Sequence, residues 1–136
     1  MTPRSTVYRT DAAGRARALW DLRDVLAAEP HVAFAFVFGS FTEDGPFHDI
    51  DVGVYVDGDL GRPGDLEERL TRAAAFPVDL VLLNGRPVTF LFHVYRGQVV
   101  FARSEAQLTA ELERTMREYF DIAPVLRQAT REAFGS

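Results

Sequence analysis

The sequence predicts a single domain of the α/β (α+β) class, in the broad sense of helices packed on a sheet, for three reasons. Segments with helical and strand patterns alternate along the chain, which is typical of this class. The chain has 136 residues and 47% apolar content, enough to bury one core. No internal repeat, low-complexity tract or long linker divides it. We therefore expect residues 1–136 to form one domain.

The first half of the chain predicts one helix and two strands. Asp11 can cap a helix that runs to about residue 28, before Pro30. Residues 32–38 form a continuous apolar run, which indicates a strand buried on both faces. Residues 50–56 predict a second strand, after a loop or short helical turn at 41–48. The inner face of the helix is expected to carry Leu19, Leu22, Val25 and Leu26.

The second half predicts alternating helices and strands. The expected elements are a helix from Pro63 or Asp65 to about residue 75, a strand at 78–83, a short helix from Pro87 to Tyr95 and a strand at 98–102.

A long C-terminal helix, about residues 104–133, completes the prediction. Ser104 and Gln107 form a capping box at its start, and Pro124 should kink or restart it. The stripe expected to pack on the sheet is Leu108, Leu112, Thr115 or Met116, and Tyr119. The apolar residues near its end could dock a partner helix; they are Phe120, Ile122, Val125 and Phe134.

Composition argues against several classes of function. The chain has no cysteine, which removes disulfides, thiolate zinc sites and cysteine nucleophiles, and suits a reducing cytoplasm. All 15 basic residues are arginine, so the lysine of a P-loop or a Schiff base is absent. A formal net charge of −5 argues against nonspecific nucleic-acid binding. No apolar run approaches the roughly 18 residues of a membrane span, and the polar residues 1–10 do not resemble a secretory signal.

Asp49 and Asp51 stand at the head of the second predicted strand. Because successive side chains on a strand point to opposite faces, the two carboxylates should share one face while Ile50 enters the core. Two close carboxylates repel each other unless a cation lies between them. Mg²⁺ is usually held by one or two carboxylates together with substrate phosphates. The pair is therefore a candidate Mg²⁺ site.

Asp79 is the one charged residue of an otherwise apolar strand segment. We expect it to be buried, and a buried carboxylate without a partner costs several kcal/mol. A metal shared with Asp49 and Asp51 would supply the partner. Two plainer interpretations stay open, since Asp79 could pair with an arginine and Asp49 could cap a loop.

Gly39 and Ser40 end the first predicted strand. Glycine permits a tight turn and a close approach of the backbone to a phosphate. Backbone amides at the start of a helical turn, together with the serine hydroxyl, favour anions. Alone, the dipeptide is equally an ordinary turn, but its place before the aspartate pair makes it a candidate nucleotide-binding turn.

Gly39 and Ser40, followed by Asp49-Ile50-Asp51 and then Asp79, resemble the site residues of DNA polymerase β-type nucleotidyltransferases. The small size is similar to that of minimal nucleotidyltransferases, in particular the MntA antitoxins encoded beside HEPN-domain toxins. The resemblance covers most of the chain, since it continues at residues 78–84, 95–97, 99–101 and 117–124.

The resemblance implies a mixed sheet flanked by helices, with Gly39 and Ser40 gripping the triphosphate of ATP. It implies that Asp49 and Asp51 bind two Mg²⁺ ions and that Asp79 completes the metal site and helps to activate the attacking hydroxyl. The implied reaction transfers AMP from ATP to a tyrosine hydroxyl of a cognate HEPN RNase toxin, which silences the toxin. The two proteins could form a hetero-oligomer.

Two alternatives stay open. Residues 41–48 are fewer than is usual in that family, and Thr42, Glu43 and Asp44 stand where its members commonly carry a basic residue. These features favour a binding module that neutralises a toxin by stoichiometric contact, with weak or no catalysis. Nucleotide transfer to a small molecule such as an aminoglycoside is a third hypothesis, but it usually needs an additional substrate-binding domain.

The remaining polar candidates receive plainer interpretations. His31 and His93 are expected to be structural or surface residues, because the histidines lack metal-ligand spacing. His48 adjoins the aspartate pair and could contact phosphate. Arg103 could also reach a phosphate, although a surface salt bridge is the expectation.

Overall fold

The computed structural model describes residues 6–134, so the first five residues of the polar N-terminal segment lie outside the described part. No described helix is both long and apolar enough to cross a membrane. The elements in chain order are α1 (Ala12–Ala27), β1 (Val32–Phe38), a single 3₁₀ turn (Ser40–Thr42), β2 (Ile50–Val56), α2 (Pro63–Ala74), β3 (Val78–Leu82), α3 (Val88–Tyr95), β4 (Gln98–Ala102) and α4 (Glu105–Phe134).

The four strands form one mixed sheet in the order β3-β2-β1-β4. β1 runs antiparallel to both β2 and β4, while β2 and β3 are parallel. This confirms the expected mixed sheet flanked by helices. It also explains the apolar run at 32–38, because β1 is an inner strand and all seven of its residues are buried.

Helices cover both faces of the sheet and create two cores. Ala35 and Val37 of β1 face the core that includes α1 and α2. Phe34, Phe36 and Phe38 alternate with them and face the core that includes α3 and the first half of α4. The buried residues of α1 are Ala18, Leu22 and Leu26, whereas the predicted Leu19 and Val25 are partly buried.

The helix caps differ in detail from the prediction. Asp11 caps α1 as expected and accepts from the Gly14 amide at 2.8 Å. Ser104 accepts from the Gln107 amide at 3.2 Å, but Gln107 does not close the capping box. Its side-chain amide instead donates to both carboxylate oxygens of Asp57, at 3.0 and 2.9 Å. The two bonds to a charged acceptor orient the side chain toward Asp57, and its oxygen accepts no bond from the Ser104 amide among the described contacts.

α4 is one continuous helix, so of the two outcomes predicted at Pro124 the restart is wrong, while the kink stays a prediction. A proline removes one backbone donor and disturbs one carbonyl, while the neighbouring helical hydrogen bonds can persist. On the packed face Thr115 is buried and Met116 is 51% exposed, which settles the alternative between them.

Arg103 neither reaches toward a phosphate site nor forms a surface salt bridge among the described residues. Its guanidinium donates to three backbone oxygens, those of Val32, Ala27 and Glu29, at 3.1, 3.2 and 2.9 Å. These carbonyls lie at the end of α1 and the start of β1, where cationic donors are favourable. Arg103 therefore ties β4 to α1.

Candidate active site

The three candidate aspartates converge where β2 and β3 begin. The parallel register of these strands places Asp51 opposite Asp79, and Asp49 precedes β2 by one residue. One carboxylate oxygen from each aspartate lies within 4.8 Å of those from the other two. Ile50, between the pair, is fully buried as expected. Strand alternation and register together thus bring three negative groups to one point.

Asp79 is exposed, and the expectation that it would be buried is wrong. β3 is an edge strand, so its apolar sequence does not place every side chain in the core. The neighbouring Leu80 amide donates a hydrogen bond to the Glu67 carboxylate of α2 at 2.9 Å. The significance of Asp79 therefore comes from its closeness to Asp49 and Asp51, since burial imposes no demand for a partner.

The pKa of Asp51 is raised by its surroundings in this cluster. Partial burial raises its pKa from 3.8 to about 6, and the nearby carboxylates of Asp49 and Asp79 add to the shift. No arginine or histidine within residues 6–134 forms an ion pair with the three aspartates. A cluster of carboxylate oxygens without an internal cation matches the ligand preference of Mg²⁺, a hard ion that is bound through oxygen.

Gly39 lies directly against this cluster. Its φ of +79° is in the left-handed region, and a Cβ at this position would overlap Oδ2 of Asp51. Thr42 holds the turn by donating to the Gly39 carbonyl, at 2.7 Å from its hydroxyl and 3.1 Å from its amide. Both the conformation and the space therefore require glycine. Ser40, the next residue, is exposed.

Arg15 holds the loop between β1 and β2, a role that the sequence analysis missed. It donates to the carbonyl oxygens of Phe41 and Gly45, the latter at 2.8 Å. Its guanidinium also lies over the rings of Phe41 and Phe47, at 5.3 and 5.8 Å from their centroids. No local motif could reveal this role, because Arg15 belongs to α1 and is separated from the loop by β1.

An open cavity of about 260 Å³ adjoins Gly39; its lining residues are Phe38, Gly39, Thr42, Glu43, His93, Arg96 and Gly97. It contains two basic groups, His93 and Arg96, from the end of α3. His93 is exposed at the surface, as expected, but it also lies edge-on to Phe38 with centroids 5.8 Å apart. Arg96 had no predicted role.

Thr42, Glu43 and Asp44 argued against nucleotide binding, but Glu43 and Asp44 are placed differently relative to this cavity. Glu43 lines this cavity, whereas the exposed Asp44 does not. His48 is also exposed, and its Nδ1 lies 3.0 Å from the Thr6 carbonyl oxygen. The histidine is thus engaged by the N-terminal segment.

The sequence model of a family described as "Polymerase beta, Nucleotidyltransferase" matches residues 21–106. That range includes all four strands, Gly39 and the three aspartates. The chain belongs to this nucleotidyltransferase family. Comparison with curated protein sequences gave no significant match.

Solved structures similar to this nucleotidyltransferase domain come from toxin–antitoxin complexes. A chain from a toxin–antitoxin structure with AMP-PNP has a TM-score of 0.69 at 19% identity, covering 87% of this chain and 98% of that one. A chain from the complex of a tri-AMPylated Shewanella oneidensis HEPN toxin with an MNT antitoxin has a TM-score of 0.58 at 22% identity, covering 91% and 98%. The likeness establishes that this chain has the fold of MNT antitoxins.

Proposed function

We propose that this chain is a Mg²⁺-dependent nucleotidyltransferase that transfers AMP from ATP to a hydroxyl of a HEPN-type RNase toxin, and so acts as the toxin's antitoxin. The acceptor hydroxyl is that of a tyrosine. The observation that carries the proposal is the convergence of Asp49, Asp51 and Asp79 beside Gly39. Family membership supports the reaction class.

The three aspartates are the residues that would hold the metal. Their oxygens lie close enough to share one cation. Burial raises the pKa of Asp51 to about 6, and repulsion from Asp49 and Asp79, which such a cation would relieve, adds to the shift. When bound, Mg²⁺, as two ions in the proposed reaction, would supply positive charge that neutralises the attacking and leaving oxygens of an in-line displacement. Asp49, Asp51 and Asp79 would hold it together with substrate phosphates.

The chain's own groups have separate roles in the transfer. The acceptor oxygen forms a bond to the α-phosphorus, the bond from that phosphorus to the bridging oxygen breaks, and pyrophosphate leaves. The hydroxyl proton passes to a base, for which Asp79 is placed, because it is exposed at the edge of the cluster. Gly39 and Ser40 contact the triphosphate, since only a glycine lets the backbone lie this close to Asp51.

The cavity beside Gly39 offers a place for the distal phosphates. Arg96 and His93 line it, and both can donate hydrogen bonds to phosphate oxygens. Because Gly39 borders both the aspartate cluster and this cavity, a triphosphate could contact the two together. Arg96 and His93 would supply the positive charge that family members commonly carry soon after the Gly-Ser turn and that this sequence lacks after Ser40.

The proposed acceptor rests on the structural neighbours. One of them is a complex in which a HEPN toxin is tri-AMPylated, and another contains AMP-PNP. We extend that partner to this chain because the fold match covers nearly all of both proteins.

The test uses the purified chain, a HEPN-type toxin from the same source, Mg²⁺ and ATP labelled on either the α- or the γ-phosphate. Label should enter the toxin from α-labelled ATP alone and be lost with Asp51→Asn or with EDTA. Replacing the acceptor tyrosine found by mass spectrometry with phenylalanine should abolish labelling. Absence of label with a toxin that still binds and is inhibited would refute the transfer.

That last outcome would support a second candidate function, neutralisation by binding alone. The observation that favours it is Glu43, whose carboxylate lines the cavity that would take the phosphates. A negative group there opposes a triphosphate. The two functions separate cleanly, because Asp51→Asn should leave toxin inhibition intact in the binding mode and remove the covalent mode.

A further inference from the structure

The second half of α4 extends away from the domain core. The first half packs on the domain through Leu108, Leu112 and the buried Glu111 and Thr115. From Pro124 onward, every residue whose side chain is described is exposed, as far as residue 133; the side chain of Phe134 lies outside the described part. The distal half of this helix therefore buries little against residues 6–134.

The packed face of α4 nevertheless continues beyond the core. Tyr119, Ala123, Leu126 and Thr130 follow one another at four-, three- and four-residue steps, which places them on one helix face. An open depression of about 410 Å³ lies on this face, and all its described lining residues belong to α4 itself. We call it the α4 groove; its residues are Tyr119, Ala123, Leu126, Arg127, Thr130 and Arg131. This spacing is how one helix presents anchors to another.

The distal segment gains from a packing partner. Pro124 lacks the amide that would bond within the helix, so one helical hydrogen bond is missing where the distal segment joins the first half. Helices in proteins gain most of their stability from packing of one face, and the distal segment packs little. Leu126, on the groove, is 42% exposed. A second helix seated here would supply the burial that the segment lacks.

The proximal end of the groove is linked through α3 to the cavity beside Gly39. Tyr119 stacks on Phe92 of α3, with the rings parallel and their centroids 3.7 Å apart. The guanidinium of Arg96 lies 5.9 Å from the Phe92 centroid, and Arg96 also lines the cavity beside Gly39. A protein seated in the α4 groove would thus lie against the α3–α4 helix pair, whose α3 also borders this cavity.

The charge of the groove distinguishes between possible occupants. Arg127 and Arg131 line it without an acidic residue, although the chain carries a net charge of −5. No carboxylate within residues 6–134 forms an ion pair with either arginine. A second copy paired groove to groove would bring the same arginines together, which is unfavourable. A helix with carboxylates beside its apolar stripe fits better.

We propose that the α4 groove binds a helix of the protein that accepts the nucleotide, and that this helix carries an apolar stripe flanked by carboxylates. The inference rests on the proposed function for the identity of the acceptor. Binding itself does not depend on transfer, so the two can fail separately.

The experiment measures the affinity of the full chain for the HEPN-type toxin by calorimetry. Leu126→Glu should raise Kd at least about tenfold, because it places a charge in the centre of the apolar contact. The matched control is Val125→Glu, which adds the same charge one residue away at a 67% exposed position outside the groove. The control should change Kd by no more than about twofold. The double variant Arg127→Glu, Arg131→Glu should weaken binding as Leu126→Glu does.

Thermal unfolding should show all these variants folded, since the substituted side chains are exposed. In the transfer assay, Leu126→Glu should raise KM for the toxin and leave kcat unchanged. Asp51→Asn should bind the toxin like the wild type while losing transfer. A toxin that binds through the groove but receives no label would refute the proposed transfer and support the groove.

Three results would overturn the groove as the acceptor site. The first is an equal Kd for Leu126→Glu and the wild type. The second is no measurable binding between the wild-type chain and the toxin. The third is light scattering that shows a homodimer dissociated by Leu126→Glu and not by Val125→Glu, because a second copy would then occupy the groove.

Discussion

Glu111 and Asp51 are two carboxylates that the fold shields from water, and the groups that surround them are very different. The Glu111 side chain is 7% exposed and accepts from the Tyr95 hydroxyl at 2.9 Å. It also accepts from two nitrogens of Arg114, both at 2.8 Å. Asp51 is half-buried between Asp49 and Asp79, which repel it. The fold supplies a cation for Glu111 and supplies none for Asp51 within the described residues.

The presence of a cationic partner at Glu111, and its absence at Asp51 in the part of the chain that the structure describes, indicates a structural role for the first carboxylate and a functional role for the second. Glu111 completes a network that joins α3 to α4, and no described buried side chain lacks a hydrogen-bond partner. Asp51 keeps unrelieved repulsion, with its pKa raised to about 6. Because perturbed groups of this kind cluster at functional sites, the missing cation at Asp51 is expected from outside the chain.

The largest predicted effect is on activity. Asp51→Asn and Asp49→Asn should each lower the rate of AMP transfer at least about a hundredfold, since changes outside the first ligand shell alone cost roughly 10- to 100-fold. Glu111→Gln should keep the rate per folded molecule, because Glu111 packs between α3 and α4 and is not one of the three converging aspartates. Initial rates with α-labelled ATP at a temperature where all variants are folded make the comparison. Full activity in either aspartate variant would contradict the assignment of the metal ligands.

The reverse ranking is expected for stability. Glu111→Ala should lower the free energy of unfolding by about 2–3 kcal/mol, because it leaves the Tyr95 hydroxyl without its acceptor and Arg114 with Glu118 alone. Glu113→Ala, at an exposed position two residues along α4, is the control and should stay within about 0.5 kcal/mol. Urea denaturation measures both. Equal costs for the two variants would show that the network contributes nothing.

These two carboxylates also show how far the sequence could predict the structure. Asp49 and Asp51 were identifiable because their spacing on a strand alone puts them on one face. The bounds of β1 and β2 were predicted correctly, since each is a short apolar run between turn residues. Glu111 gave only a weak local signal, its i,i+3 spacing to Arg114 on α4. Its burial and its bond from Tyr95 arise only when α3 packs on α4.

The predictions that were wrong or missing all depend on contacts between parts of the chain that are far apart in the sequence. The exposure of Asp79 depends on β3 being at the sheet edge, which an apolar segment does not reveal. Arg103 and Arg15 bond to backbone carbonyls far away in the sequence, and no motif encodes such contacts. Their roles required the topology.

A substitution at Gly39 tests whether the backbone must lie this close to Asp51. Gly39→Ala should lower the free energy of unfolding by about 2–3 kcal/mol and reduce transfer, because it adds a steric overlap to an unfavourable φ. Gly45→Ala is a matched control, with a φ of +111° but nothing within 4 Å of the added Cβ. It should cost about 1–2 kcal/mol, the backbone strain alone. Equal losses in the two variants would mean that Asp51 simply moves aside.

A smaller effect is expected on the pH dependence of stability without metal. Since folding raises the pKa of Asp51 from 3.8 to about 6, the folded state holds this proton more tightly. The associated stability is fully present below about pH 4 and is lost as pH rises through 6. After allowance for solvent screening of a half-exposed group, we expect about 1 kcal/mol.

Asp51→Asn should therefore stabilise the metal-free protein by about that amount at pH 7 and flatten the profile between pH 4 and 6. Mg²⁺ should raise the melting temperature of the wild type at pH 7 and have less effect at pH 4.5, where Asp51 is protonated. Thermal unfolding of both proteins across this range gives the difference. A stabilising effect of Mg²⁺ on Asp51→Asn as large as on the wild type would place the cation elsewhere.

The smallest effect concerns Glu43, the one carboxylate in the cavity beside Gly39. If the distal phosphates bind there with Arg96 and His93, Glu43→Gln should tighten binding of Mg²⁺·AMP-PNP about two- to threefold, because an exposed charge is largely screened. Asp44→Asn removes the same charge from an adjacent exposed residue that does not line the cavity, so it should leave Kd unchanged. Calorimetry at low salt measures both. Equal changes in the two variants would mean that only net charge matters and that the phosphates do not occupy this cavity. A selective gain in Glu43→Gln would instead show that this chain keeps a nucleotide site in spite of an acid beside it, and would weaken the case for a protein that acts by binding alone.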